Sequence, residues 1–265
     1  MTSVAEAFAR AKAENRAALV AYLPAGYPSV VGAIAAVHAM IDNGVDAVEI
    51  GMPYSDPVMD GPTIQAAAEA SLAAGTDVPA LIETVRQTSG RGAAILVMSY
   101  WNPILRHGVE RFAREFAAAG GSAVITPDLT PEEAGDWEAA TDAHGVGRVF
   151  LVAPSSTDQR LATVTSHCNA FVYAASTMGV TGARNQVSDA AQKLVARTRE
   201  VTDLPIAVGL GVSNADQAAE LATFADGVIV GSAFVRLLLD SPDETSGAAA
   251  VGRLTAELAE GVRRR

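Results

Sequence analysis

Short apolar segments, rich in β-branched residues, recur along the chain and alternate with longer segments of helical periodicity. The apolar segments are hydrophobic throughout rather than at every second position, which is typical of parallel strands buried on both faces. The eight predicted strands are Ala18–Leu23, Ala47–Ile50, Ala93–Met98, Ala123–Thr126, Val149–Val152, Ala170–Ala175, Ile206–Val208 and Gly227–Val230. The predicted helices include Val30–Asp42, Val109–Ala118, Pro131–Ala143, Val187–Thr202 and Asn214–Thr223.

Strands that alternate with helices in this way indicate a closed (β/α)8 barrel, preceded by an amphipathic helix around Ala5–Ala11. An open doubly wound sheet is the alternative, but no glycine-rich dinucleotide fingerprint follows the first strand. The chain has 265 residues, the length of one such barrel, and contains no long linker or charge block. We therefore expect residues 1–265 to form a single domain, a TIM barrel with an extra N-terminal helix.

Composition and charge narrow the classes of function. The formal net charge is −11, and an acidic surface of this kind repels the phosphates of nucleic acids. The apolar runs are far shorter than a membrane span and no signal-peptide pattern is present, so we expect a cytoplasmic protein. The single cysteine, Cys168, excludes an internal disulfide and a cysteine metal cluster.

A glutamate interrupts the second predicted strand. Glu49 lies in the apolar run Ala47–Gly51, where an ionised carboxylate is costly unless it is paired or reaches a polar cavity. Burial raises the pKa of a carboxyl group, as a residue that transfers protons near pH 7 requires. The pattern leaves two interpretations open, a proton-transferring residue or a structural glutamate paired with a neighbouring arginine or tyrosine.

The loop after this strand carries two further acids, Asp56 and Asp60, ahead of a helix. The pattern alone favours capping of that helix by Asp60, with Pro62 just inside it, and a functional role for Asp60 is the alternative. Asp56 is equally compatible with a simple turn residue.

Glycine clusters follow the last three predicted strands, at Gly179–Gly182, Gly209–Gly211 and Gly231–Ser232. Backbone N–H groups at such turns, with a helix N-terminus behind them, form phosphate sites, and barrels often place one after strands seven and eight. The last two clusters contain no lysine or arginine, so backbone dipoles would hold the anion. The sequence therefore predicts a phosphorylated small-molecule substrate.

The chain lacks the residues of two common aldolase mechanisms. Both lysines, Lys12 and Lys193, lie in helical patterns, whereas a Schiff-base lysine is expected on a strand. The four histidines show no paired ligand spacing, so a catalytic metal site is not expected. The residues alone thus predict a carboxylate-driven enzyme without a cofactor or metal.

Several of these segments closely resemble the tryptophan synthase α-subunit family. The resembling segments are Glu49–Pro57, Asp60–Gln65, Tyr100–Ile104, Pro127–Leu129, Gly179–Gly182, Gly209–Ser213 and Gly231–Ala233. Each motif alone is weak, but they keep their order over nearly the whole chain and are together highly specific. The resemblance implies retro-aldol cleavage of indole-3-glycerol phosphate into indole and glyceraldehyde 3-phosphate.

The resemblance also implies roles for individual residues. Glu49 corresponds to the family's general acid–base, and Asp60 corresponds to an aspartate beside the indole nitrogen. Tyr173 corresponds to a tyrosine beside the substrate, where it would also help to hold Glu49, and an inward-facing core aromatic is its alternative interpretation. The implied contacts are Tyr22, Tyr100, Tyr173 and the lid residue Thr181 for the substrate, Gly182, Gly211, Gly231 and Ser232 for its phosphate, and Pro53 and Asp56 for the partner subunit.

The family's partner is a β subunit that carries pyridoxal phosphate and receives indole through a tunnel in an α2β2 heterotetramer. The resemblance therefore implies no cofactor in this chain. Tyr22 stands where many members have phenylalanine, and Ser176, Thr177 and Met178 precede the lid motif where some members have an arginine. Two alternatives remain, a free-standing lyase and a non-catalytic activator of a β subunit. Intact Glu49 and Asp60 argue against the activator.

Overall fold

The computed structural model describes residues 1–175, 184–209 and 211–264, except for the side chains of residues 184–188. The strands are β1 (Ala18–Pro24), β2 (Ala47–Gly51), β3 (Ala94–Met98), β4 (Ala123–Ile125), β5 (Gly147–Val149), β6 (Leu151–Val152), β7 (Val172–Ala175), β8 (Ile206–Gly209) and β9 (Gly227–Val230). The helices are α1 (Val4–Ala13), α2 (Val30–Asp42), α3 (Pro62–Ala73), α4 (Val78–Thr88), α5 (Trp101–His107), α6 (Val109–Ala118), α7 (Gly135–His144), α8 (Asp158–His167), α9 (Arg184–Arg199), α10 (Ala215–Ala222), α11 (Ser232–Asp240) and α12 (Glu244–Gly261).

These strands run parallel in one sheet, in the order β5-β4-β3-β2-β1-β9-β8-β7-β6. The two ends of this order, β5 and β6, are consecutive in the chain and are separated only by Phe150. Because β5 pairs with β4 and β6 pairs with β7, the two edges of the sheet come together at this interruption and close the barrel. The fold is therefore the predicted (β/α)8 barrel, but the continuous strand predicted at Val149–Val152 is wrong, since its two halves pair with different neighbours.

Strand side chains alternate between two buried layers. One set, which includes Val20, Leu96 and Ile229, fills the inside of the barrel, and the other packs under the helices. The predicted N-terminal helix is α1, and it covers the amino-terminal end of the barrel. There the ring of Phe8 stacks on that of Phe171, with centroids 5.3 Å apart.

Helix boundaries follow the predictions with two shifts. The segment predicted as one helix from Pro131 begins as a 3-10 turn at Pro131–Glu133, where the Ala134 N–H donates to the carbonyl of Pro131 at 3.2 Å. The α-helix α7 follows that turn. The helix predicted at Val187–Thr202 lies at Arg184–Arg199, and Val201 already belongs to a closing turn. No helix in the described ranges is long and apolar enough to cross a membrane.

A buried ion pair joins β1 and β2 at the amino-terminal end of the barrel. Asp46, directly before β2, is 2% exposed and accepts hydrogen bonds from Arg16 Nη1 at 2.5 Å and Nη2 at 2.9 Å. The backbone N–H of Leu19 donates to the same carboxylate at 2.9 Å, and Arg10 of α1 adds a contact at 3.1 Å. Both carboxylate oxygens are therefore satisfied.

Candidate active site

A cavity of about 400 Å³ lies at the carboxyl-terminal ends of the strands, the end at which (β/α)8 barrels place their sites. It brings together seven of the residues predicted from the sequence, which are Tyr22, Glu49, Asp60, Tyr173, Gly211, Gly231 and Ser232. Most of the remaining lining is apolar and comes from Val58, Met59, Ile64, Met98, Ala153, Ala175 and Ile229. The predicted acids thus share a largely apolar cavity with the predicted phosphate residues.

Glu49 points into the barrel from β2, because strand alternation places it on the same face as Ala47. It is 1% exposed, and its Oε2 atom has no hydrogen-bond partner among the described residues. The structural interpretation, a glutamate paired with arginine or tyrosine, is therefore wrong for the described part of the chain. Burial, and secondarily the charge of Asp60, raise the pKa of Glu49 to about 8. At pH 7 its carboxyl group is mainly protonated.

Asp60 faces the cavity from the loop before α3 and does not cap that helix. The N-cap of α3 is Gly61, without a side-chain hydrogen bond, so the predicted capping by Asp60 is wrong. Its Oδ1 atom instead accepts a hydrogen bond from the Tyr100 hydroxyl at 3.2 Å, while its backbone carbonyl accepts one from Gln65 Nε2 at 2.7 Å. Burial raises the pKa of Asp60, and the bond from Tyr100 opposes that shift.

Tyr100 stands behind Asp60 rather than on the cavity surface. Its hydroxyl donates to Asp60 and accepts from the Met59 N–H at 3.0 Å, so it ties the acid to the loop. Its ring packs against that of Tyr54, with centroids 5.1 Å apart. Burial raises the pKa of Tyr100 to about 12, so its hydroxyl remains a donor at neutral pH. Tyr100, predicted to touch substrate, is placed to act on Asp60.

The other end of the cavity is suited to an anion. Gly231 is the N-cap of α11 and has no side-chain cap, so the first N–H groups of this helix lack intrahelical partners at the cavity wall. Gly211, with φ of +64°, adds a turn in the left-handed region that favours glycine. No lysine or arginine is among the described lining residues. Backbone dipoles would therefore hold a phosphate here, as the sequence predicts.

Other predicted residues lie at the rim or outside the described part of the chain. Pro53 is buried in the loop after β2, and Asp56 is exposed and accepts a hydrogen bond from Ser55 Oγ at 2.6 Å. The lid and phosphate residues Thr181 and Gly182 lie outside the described residues. The same holds for the departures from the family pattern at Ser176, Thr177 and Met178.

Two glycines at strand ends make room for the cavity's tyrosines, and sequence reasoning missed this role. A Cβ atom on Gly51 would lie 2.2 Å from the Tyr22 hydroxyl, and one on Gly209 would lie 2.6 Å from the Tyr173 hydroxyl. The signal that could have indicated this role is a glycine at the end of one predicted strand with an aromatic residue on a neighbouring strand. Met98, at the end of β3, is a lining residue that the sequence analysis treated only as part of a strand.

This arrangement offers three chemical capabilities. Glu49 can give a proton at neutral pH, Asp60 can become an anion held by Tyr100, and the α11 end can bind an anionic group. Within the described residues, no cluster of three or more histidine, cysteine or acidic side chains could hold a metal ion. The site is arranged for acid–base chemistry on a substrate that carries an anionic group.

Comparisons with known proteins identify relatives over the full length of the chain. A family model described as tryptophan synthase alpha chain matches residues 8–262. The tryptophan synthase alpha chain of Acidothermus cellulolyticus is 56% identical over 264 residues, which cover 100% of this chain and 98% of the relative. A solved structure of Mycobacterium tuberculosis tryptophan synthase shares 51% identity with a TM-score of 0.91, covering 99% of each chain. The alpha subunit from Legionella pneumophila, at 28% identity, has a TM-score of 0.90 over 99% of this chain and 98% of that one.

Proposed function

This chain belongs to the tryptophan synthase alpha chain family, and from that premise we propose how its cavity works. It is a carbon–carbon lyase that cleaves indole-3-glycerol phosphate into indole and glyceraldehyde 3-phosphate. The observation that carries the assignment of roles is the carboxyl group of Glu49, which is buried in the cavity with Oε2 unpartnered among the described residues, an environment that raises its pKa to about 8.

The substrate lies with its phosphate at Gly211, Gly231 and Ser232, where the N-terminus of α11 supplies N–H groups. Its indole ring extends along the apolar wall toward Asp60, with the ring nitrogen beside the carboxylate. This orientation brings carbon 3 of the indole, and the hydroxyl on the adjacent glycerol carbon, within reach of Glu49.

In the first step, the protonated Glu49 gives its proton to carbon 3 of the indole. The ring then carries a positive charge at its nitrogen, which the Asp60 carboxylate stabilises. In the second step, the Glu49 carboxylate takes the proton of the glycerol hydroxyl. The electrons of that O–H bond form the aldehyde, the carbon–carbon bond breaks, and its electron pair restores the aromatic ring. Glu49 ends protonated, as it began.

Tyr173 and Tyr22 complete the polar part of this site. Burial, and secondarily the charge of Glu49, raise the pKa of Tyr173, so its hydroxyl remains protonated beside the acid. We assign Tyr173 to a substrate contact beside Glu49 in the cavity, and Thr181 and Gly182 to the lid and phosphate contacts that the family resemblance implies. None of these proton transfers needs a cofactor, so the proposed reaction requires none in this chain.

The partner in this proposal is a tryptophan synthase β subunit in an α2β2 assembly, which receives indole and carries pyridoxal phosphate. The loop with Pro53 and Asp56 is the proposed contact, and its neighbour Val58 is 76% exposed at the cavity rim. The chain acts as one domain over residues 1–265 in the cytoplasm, is monomeric alone, and is slow until the β subunit binds.

Indole release from indole-3-glycerol phosphate tests this proposal. Wild type, Glu49→Gln and Asp60→Asn are compared with and without a β subunit, and Gly135→Ala is the matched control, since a Cβ there meets no atom within 4 Å. We expect slow wild-type release that the β subunit accelerates, and loss of release in both acid variants. Absence of release from the wild type, with the β subunit still activated, would instead identify a non-catalytic activator.

A further inference from the structure

Tyr22 crosses the floor of the cavity between its two functional ends. It lies on β1 in register with Glu49 on β2, and its ring borders the phosphate end, because a Cβ on Gly231 would lie 3.4 Å from its Cδ1 atom. Its hydroxyl reaches the end of β2, where a Cβ on Gly51 would lie 2.2 Å away. Only a glycine at position 51 leaves room for the ring in this orientation.

The hydroxyl of Tyr22 is a hydrogen-bond donor that no described residue uses. Within the described residues it has no hydrogen-bond partner, and the residue lines the cavity. Burial raises the pKa of Tyr22, and the charges of Asp60 and Glu49 raise it further, in that order. The group therefore stays protonated, and it lines the same cavity as the Asp60 carboxylate.

The Asp60 carboxylate has few hydrogen-bond donors among the described residues, although its proposed role requires the anionic form. Its Oδ1 atom has one hydrogen bond, from Tyr100, and no described group donates to Oδ2. Burial raises its pKa, which opposes the anionic form that stabilises a positive indole ring. A second donor to this carboxylate would favour the anion.

We infer that Tyr22 is a positioning residue whose hydroxyl donates a second hydrogen bond to the Asp60 carboxylate when substrate fills the cavity. Gly51 leaves the space that the Tyr22 ring occupies, so the position of the Tyr22 hydroxyl depends on both residues. The inference rests on the proposed role of Asp60 as an anion. It gives the hydroxyl a function at a position where many family members have phenylalanine.

The pH dependence of kcat, which reports ionisation in the substrate complex, tests this inference with a readout that packing alone would not move. Activity rises with pH as Asp60 ionises, and this rise is the acidic limb of the pH profile. Loss of a hydrogen-bond donor to the Asp60 anion raises the pKa of Asp60 and moves the limb to higher pH. For Tyr22→Phe in the full chain with a β subunit, we expect a shift of about one pH unit. At pH values below the limb, kcat then falls about tenfold, and on the plateau it changes far less.

Three further variants make the result decisive. Tyr100→Phe removes the hydrogen bond seen in the structure and is the positive control for a shifted limb. Gly51→Ala should shift the limb in the wild-type background and produce no further shift in the Tyr22→Phe background. Gly135→Ala, on the outside of α7, should leave the profile unchanged.

An unmoved limb in Tyr22→Phe, with a shifted limb in Tyr100→Phe, would overturn the inference and leave the proposed function intact. Full activity of Asp60→Asn would instead overturn the proposed function itself. If Gly51→Ala does not fold, the comparison of the two phenylalanine variants still decides the matter.

Discussion

Two carboxyl groups on the same stretch of chain are equally buried but differ in their hydrogen bonding. Asp46, at the amino-terminal end of β2, and Glu49, three residues later, are 2% and 1% exposed. Asp46 has both oxygens bonded, to Arg16, Arg10 and the Leu19 N–H. Glu49 has no hydrogen bond to any described residue, and its Oε2 atom is fully buried.

The difference shows how one strand serves stability at one end and chemistry at the other. A buried charge is tolerated where an opposite charge and hydrogen bonds compensate it, as at Asp46. A buried carboxyl group without them keeps its proton instead, as at Glu49. The amino-terminal end of the barrel therefore holds an ion and the carboxyl-terminal end holds an acid.

The largest expected effect is on catalysis at the unpaired carboxyl group. Glu49→Gln keeps the shape and removes the transferable proton, so indole release should fall by about 10²–10⁴-fold. Steady-state kinetics measure this loss, and thermal unfolding at pH 7 should show no loss of stability. A variant that lost activity only because it unfolded would break the comparison.

The next largest effect is on stability at the paired carboxylate. Asp46→Asn leaves the Arg16 guanidinium, 5% exposed, with only the half-exposed carboxylate of Glu14 as its counter-charge, which should cost as much as about 3–5 kcal/mol of unfolding free energy. Denaturant unfolding measures it, and kcat of the folded fraction should remain close to that of the wild type. The matched control is Asp42→Asn, which removes an exposed pair with Arg91 and should cost less than about 1 kcal/mol.

An effect of similar size is the pH dependence of the unfolding free energy that Glu49 causes. Its pKa is raised from 4.5 to about 8 in the folded chain, so between these values only the unfolded chain is ionised and folding is penalised. Each pH unit of this window costs about 1.4 kcal/mol, and the penalty is constant above it. Relative to Glu49→Gln, the wild type should therefore lose a few kcal/mol as pH rises through this window. Parallel stability curves for the two proteins would contradict this account.

The smallest expected effect concerns the second arginine at Asp46. The side chain of Arg10 is 41% exposed, so water and salt weaken its ion pair with Asp46. Arg10→Ala should cost about 1 kcal/mol or less, as measured by denaturant unfolding. A loss as large as that of Asp46→Asn would mean that Arg16 alone does not compensate the charge.

The strands and the acid at Glu49 could be predicted because local pattern determines them. Apolar runs place β2 and β9 to within one residue, and a glutamate inside such a run is visible without a structure. The interruption at Phe150 could not be predicted, because it depends on which neighbour each half of the strand pairs with. Closure of the barrel imposes this pairing from distant parts of the chain.

The surroundings of Asp60 show the same limit at the site. Local pattern favoured a helix cap, but the partner of Asp60 is Tyr100, forty positions along the chain. The room that Gly51 leaves for Tyr22 likewise depends on the packing of two strands rather than on either segment alone. Sequence pattern therefore identified the acids, and only the three-dimensional structure assigned their neighbours.

The central claim is that Glu49 is a neutral acid in the cavity at pH 7, and infrared difference spectroscopy measures this directly. The spectrum of the wild type minus that of Glu49→Gln isolates the carbonyl stretch of this one carboxyl group. We expect the band of a protonated acid at pH 7, replaced by carboxylate bands as pH rises through about 8. Carboxylate bands already complete at pH 6 would show an ionised Glu49 and contradict the account.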